Sequence, residues 1–483
     1  MTRLRTSLLL AVAGAALAAG APAALAGTAF AAGTPAAAAA TPFWEPPLPI
    51  HYGDTSPILQ GPPQVVANAA GLAVAVADTG GGSGGALGPH SEVSVFTNGV
   101  FLDPYQLSGA NVAYGPGDGA VATYASTRLL AAGVQRTASS AQAVFTFGRL
   151  TPNKASLDAP RPLGPANMHA GATALAVNAA GDAAMVYPVC RDAGCEHALV
   201  YLAVRRHGTS TISSTRLFDG DGPLPRVAAA VDARGDALAV WTTGAQVRAR
   251  VRTLGGTLRA TQVVGPTASG SGLAPSAALS THRGELVGWF SQTVSEGDGG
   301  PGAAYVAQAR DGSAFSGATK LADVPALGPG NEVGGAGVRV AFDPSGRRLA
   351  LWTGYENDRF VVGSAELLGA ANSGSATVTD PVVVSDPAID TVLSDMQVTA
   401  SGQQVVTVES GLRGSQPAVS NTTVQVALRG AAGVGPFVRE PVSDGASYAS
   451  GASSAVAGAG RVLTTWTVAG HDDFYSQRIG PLP

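Results

Sequence analysis

The residues best equipped for chemistry interrupt an apolar, glycine-rich chain: Asp192, Glu196 and His197, then Tyr355, Glu356 and Asp358, then His471, Asp472 and Asp473. Asp78, His90, Glu92, Arg191, Glu296, Asp298, Arg359, Glu409 and Arg413 lie in or beside the same kind of segment, and acids outnumber bases in the whole set. Converging carboxylates could hold a divalent cation, take a cationic group, or serve as the pair that hydrolyses a glycosidic bond. The blander account is that loops are polar and that, among so many acids, some fall near one another by chance.

No nucleophile motif stands out. Gly81-Gly-Ser-Gly-Gly85 matches the spacing of a serine-hydrolase elbow, but a glycine run meets that spacing by chance and no helical pattern follows Ser83. The same run lacks the Lys-Ser/Thr ending of a phosphate loop, and there is no His-Glu-x-x-His and no EF-hand. The two cysteines, Cys190 and Cys195, are expected to form a local disulfide. Zinc on Cys190, Cys195 and His197 would have three protein ligands where structural zinc takes four. No metal site and no cofactor are expected.

These residues hang on a repeat. Eight times an apolar strand runs into a tight turn and a second strand leaves it, clearest in Val227-Ala-Ala-Ala-Val-Asp-Ala-Arg-Gly-Asp-Ala-Leu-Ala-Val-Trp241. The turn glycines read as Gly71, Gly117, Gly181, Gly235, Gly284, Gly346, Gly402 and Gly460, a period of about 56 residues. Within the fourth copy, alternation and turn residues place strands at 227–231, 237–241, 246–252 and about 261–264. The last copy supplies strands near 454–457, 462–468 and 474–479 and then runs out of chain, so Pro57-Ile-Leu-Gln60 is a candidate fourth strand that would cover an open edge.

Four antiparallel strands per repeat resembles the β-propeller repeat proteins, WD40-like in strand layout, over about residues 57–480. The resemblance implies an all-β ring of about eight four-stranded blades, with an N-terminal strand closing the last. Seven is the alternative if the second copy, where Gly117 and Gly119 compete for register, makes no full blade. The Trp-Asp dipeptide of WD40 blades is absent, and Phe342-Asp-Pro-Ser-Gly-Arg-Arg-Leu-Ala-Leu-Trp352 has the wrong spacing for a sialidase Asp-box. The aromatic series Tyr124, Tyr187, Trp241, Trp289, Trp352 and Trp466 recurs at one place in the repeat, as a core position would. Asp232 and Asp343, with Asn68 and Asn178, read as turn formers.

The first 26 residues have the form of a signal peptide, with Arg3 and Arg5, an apolar stretch and Ala24-Leu-Ala26, although cleavage as late as residue 31 fits too. Residues 27–50 read as a flexible Ala/Pro-rich lead-in and 51–483 as one propeller domain. Without the signal the chain carries 27 basic and 33 acidic residues, a net charge of −6. That balance argues against nucleic acid, and no apolar stretch is long enough for a membrane span. The expectation is a secreted, monomeric, non-catalytic propeller whose long strand-two-to-three loops bind an extracellular protein or glycan. A polysaccharide hydrolase or lyase using loop carboxylates is the alternative.

Overall fold

The computed structural model describes residues 44, 48–50, 63–79, 89–109, 111–115, 118–137, 139–192, 194–267, 274–295, 298–310, 313–325, 337–368, 377–411, 422–430, 435–443, 449–458, 461–468 and 474–478. Among them there is no α-helix, and hence no helix able to cross a membrane.

The fourth unit shows how the sequence makes each sheet. Val227–Val231, Ala237–Thr243, Gln246–Arg252 and Gln262–Pro266 pair antiparallel in that order. Strand two is buried from Ala237 to Trp241 because sheets pack on both its faces, and the third strand alternates between buried and half-buried positions. Between strands one and two, Asp232 Oδ1 accepts the backbone N–H of Arg234 and of Asp236, each at 2.9 Å. Gly235 then takes φ +90°, a value that disfavours any residue with a Cβ. Asn178 and Asp343 fold their turns in the same manner. The Asn178 amide also donates to the Asp232 carbonyl (2.8 Å) and Thr281 donates to Asp232 Oδ2 (2.9 Å), so these turns tie neighbouring sheets together.

First strands recur at Gln64–Ala67, Ala120–Tyr124, Ala174–Val177, Val227–Val231, Ser276–Ser280, Val338–Phe342, Thr391–Val398 and Ala449–Ala457. Each packs against the next, and the last packs against the first. Single parallel bridges, His90 to Val112 and Ala141 to His169, merge the first three units into one sixteen-stranded sheet. The fold is a β-propeller.

The seam lies elsewhere than expected. Leu48–Ile50, within the segment read as lead-in, pairs with Phe474–Arg478 and completes the last sheet. Pro49 is tolerated because this is an edge strand, where one row of N–H groups needs no partner. Pro57–Gln60 lies outside the described residues. Trp44 packs on the core cluster between the last two units, the cluster that holds Trp466.

The second copy makes a full unit in a different register. Its strand one is Ala120–Tyr124, the turn runs through Ala125 at φ 51°, and strand two is Arg128–Arg136. Gly119 therefore precedes strand one, where a Cβ would run into the Ala132 carbonyl oxygen, and Tyr124 ends strand one instead of strand two. Tyr187, Trp241, Trp289 and Trp466 are fully buried on second strands, with Trp352 nearly so.

Candidate functional site

Because strands alternate in direction, the one-to-two turns lie on one face of the ring and the two-to-three connections on the other. The predicted loop residues that the structure describes fall on the second face, in separate sheets. Cys190 and Cys195 form a disulfide with Cα atoms 5.1 Å apart, closing the connection that carries Asp192 and Glu196. Asp192 works as a turn former, its Oδ1 accepting the Glu196 N–H at 3.2 Å, and both side chains are exposed. His197 bonds Asp221 (2.8 Å) and Asp219 (2.5 Å), which raise its pKa above the ordinary histidine value.

Tyr355, Glu356 and Asp358 belong to the sixth unit. There the segment read as a long loop is strand almost throughout: Arg348–Glu356 turns through Asn357 and Asp358, at φ 50° and 61°, into Arg359–Leu368. Two successive positive φ values mark the two-residue hairpin turn whose twist suits the flanking strands. Glu356 and Asp358 point to solvent there, while Tyr355 packs edge-on against Phe360. Similarly, strand continues through much of 291–302, in Gly284–Ser295 and Asp298–Ala309. His471, Asp472 and Asp473 lie outside the described residues. No group of three or more His, Cys, Asp or Glu among the described residues is placed to hold a metal ion.

A different group converges at the axial channel, on the two-to-three face. A cavity of about 550 Å³ is lined by Gln64, Arg339, Asp395, Gln397, Glu409 and Ser453 among others. Two first strands are bulged there, between Leu393 and Asp395 and between Ser450 and Ser453. Bulges re-aim side chains.

Glu409, 6% exposed, is the penultimate residue of the second strand of the seventh unit, Gln404–Ser410. Its Oε1 accepts Ser394 Oγ at 2.6 Å, Gly451 N at 2.8 Å and Ala452 N at 3.2 Å. One carboxylate oxygen thus joins the seventh and eighth units, and no described group bonds Oε2. Asp395 Oδ1 accepts its neighbour Met396 N at 2.8 Å, and Oδ2 accepts Ser454 N at 3.1 Å and Ser453 Oγ at 3.4 Å. Burial lowers the pKa of Arg339, and the charge of Asp395 opposes that shift. Gln64 Oε1 accepts the Val121 N–H at 3.0 Å, which fixes one amide on the wall.

A second cavity, of about 660 Å³, shares Val65, Val66 and Gln397 with the first and reaches the turn residues Asn68, Ser401 and Gly458. The two are consecutive parts of one axial passage, with Gln397 at their junction. Chemically the mouth offers two backbone-anchored carboxylates, a guanidinium, two amides and hydroxyls.

Sequence reasoning included Glu409 in the wide polar set and singled out neither Asp395 nor Arg339. The available signal was departure from the repeat: first strands such as Val227-Ala-Ala-Ala-Val231 are small and apolar, whereas Val338-Arg-Val-Ala-Phe342 and Ser394-Asp-Met-Gln-Val398 carry charge.

A buried carboxyl at the first and second units is structural. Asp78 Oδ1 accepts Ser91 Oγ (2.6 Å), Gly115 N (2.8 Å) and Tyr114 N (3.2 Å), while Oδ2 is buried with no hydrogen-bond partner. Burial raises its pKa from the ordinary 3.8, the nearby Asp118 adds to this, and the three donors oppose it. The folded state therefore holds the Asp78 proton more tightly than the unfolded chain does. Asp78 accordingly costs stability as pH rises from below 3.8 through the raised value. Asp78→Asn should melt higher than the parent at pH 7, with the gap closing by about pH 3; thermal melts across that range check the sign.

No family model and no curated protein matches the chain. Among solved structures, a Penicillium chrysogenum α-L-arabinanase complexed with arabinobiose is 9% identical with TM-score 0.41, covering 91% of this chain and 98% of that one. The polysaccharide lyase Uly1 is 10% identical with TM-score 0.40, covering 80% and 93%. The β-propeller domain of the Trilobed protease from Pyrococcus furiosus is 9% identical with TM-score 0.39, covering 77% and 94%.

Proposed function

We propose that this protein is an exported propeller of eight blades that binds a carbohydrate at the mouth of its axial channel. The observation that carries the reading is the polar cleft itself. Its volume of about 550 Å³ falls within the range of roughly 300–1,000 Å³ usual for small-ligand sites. That is generous for a single ion and small for a folded partner. Sugar hydroxyls both donate and accept, and Gln64, Arg339, Asp395, Gln397, Glu409 and Ser453 offer both kinds of group from fixed positions. Farther out on the same face, Asp192, Glu196 and His197, and Tyr355, Glu356 and Asp358, would extend the surface toward a longer glycan or a protein carrying one.

The test is a thermal-shift screen of the mature chain against oligosaccharides, since a ligand that binds only the folded state raises its melting point. At least one sugar should raise it in the parent and fail to do so in Gln397→Leu. Silence across the panel overturns the reading.

One observation favours a second reading. Asp395 and Glu409 line the same cleft, as the two carboxylates of a glycoside hydrolase must. In that case reducing ends accumulate when the bound sugar is incubated with the parent, and they do not with Asp395→Asn or Glu409→Gln.

A further inference from the structure

The opposite face of the ring carries a charge pattern that the net charge of −4 conceals. Arg206, Arg252, Arg310 and Arg429 end or follow third strands, and Arg283 and Arg348 flank one-to-two turns, so all six sit on the turn edge of consecutive units. None of the six forms an ion pair among the described residues. Arg348 donates to the Arg283 carbonyl (3.1 Å), Arg283 to the Ser345 carbonyl (3.4 Å) and Arg429 to the Gly435 carbonyl (2.9 Å), so three of the stems are held by backbone.

They also lie close enough to repel one another. Burial first, and then Arg206, lowers the pKa of Arg252; burial, Arg283 and Arg310 lower that of Arg348; burial and Arg347 lower that of Arg429, which Glu366 partly offsets. Three acids on this edge are tucked inside the turns and engaged there, Asp182 with His207, Asp232 with Arg234, and Asp343 with Arg347, while Glu366 faces Arg429. Like charges gathered with few counter-charges cost stability, and they raise the local concentration of anions.

We propose that the turn face is a second binding surface, distinct from the channel mouth, for an anionic polysaccharide. The cations run along several units, which suits a repeating polymer better than a single anion. Guanidinium groups suit oxyanions that accept two parallel hydrogen bonds, such as carboxylate and sulfate. Phe437, an aromatic beside them on this edge, is covered by Arg429, which withdraws its face from the base stacking that single-stranded nucleic acid uses.

Affinity electrophoresis of the mature chain through gels containing polygalacturonate, dextran sulfate, neutral dextran or duplex DNA tests this. Polygalacturonate or dextran sulfate should retard the protein, neutral dextran should not, and the effect should weaken as salt rises. The two polymers tell carboxylate from sulfate recognition. In Arg206→Gln/Arg252→Gln, retention should fall about tenfold or more and the slope of log affinity against log salt should drop by about one per arginine removed. The same variant should melt no lower than the parent, because a repulsion has been relieved; the exposed single variant Arg310→Gln stands in if the double variant fails to fold. Gln397→Leu should leave retention unchanged, which separates this surface from the cleft. Absence of retardation by either polyanion at low salt, unchanged retention in the variants, or retention by DNA alone would each overturn the proposal.

Discussion

Glu409→Ala should lose about 2–4 kcal/mol of stability, while Glu409→Gln should stay close to the parent. The reason is that the side chain acts through one atom. Oε1 takes three hydrogen bonds, from Ser394 in its own unit and from the N–H groups of Gly451 and Ala452 in the next. Removing it strands buried donors at the junction of two sheets, and each unsatisfied donor costs about 1–3 kcal/mol. Glutamine keeps the acceptor and discards only the charge, so the two variants separate support from chemistry. Denaturant melts measure the first, and the sugar-dependent thermal shift of Glu409→Gln measures the second. Equal destabilisation by both substitutions would show that the charge, and not the acceptor, holds the junction.

Trp289→Ala should cost about 3–5 kcal/mol, the usual range for a large aromatic removed from a core. Trp289 is 1% exposed, stacks on Tyr305 with ring centroids 5.4 Å apart, and donates its indole N–H to the Pro266 carbonyl at 2.8 Å. Gly265 is glycine because a Cβ there would enter the indole ring. Trp241 occupies the equivalent place in the preceding unit, yet its indole N–H is buried without a partner. Trp→Phe at 289 therefore loses a hydrogen bond that Trp→Phe at 241 does not. The 241 variant should be the more stable of the two, and melting of the pair side by side checks the difference.

What could be read from the chain depended on whether the signal was local. The fourth unit's first strand falls at Val227–Val231 as expected, because Asp232 and Gly235 mark its turn within a few residues. The second unit misled, since its true turn at Ala125 has no glycine while Gly119 is glycine for a contact with another strand. The closing strand misled for a related reason: Leu48-Pro-Ile50 has no alternation to announce it and is specified by its partner Phe474–Arg478. Asp395 reaches the cleft through a bulge, and a bulge is a relation between two strands that one strand's sequence does not display.

The pairing of Leu48–Ile50 with Phe474–Arg478 also sets an order of events. Leu48–Ile50 is made more than four hundred residues before its partner, since Phe474 must exist before Ile50 can bond to it. The entropy of closing so long a loop grows only logarithmically, to about 5 kcal/mol, so the native ring bears it easily. Its burden is kinetic: pairing across the whole chain is the slow kind. Until it happens, the last unit keeps a bare edge open to a neighbouring molecule. The ring is therefore most vulnerable to aggregation while it is newly made, and its last unit is where that vulnerability lies.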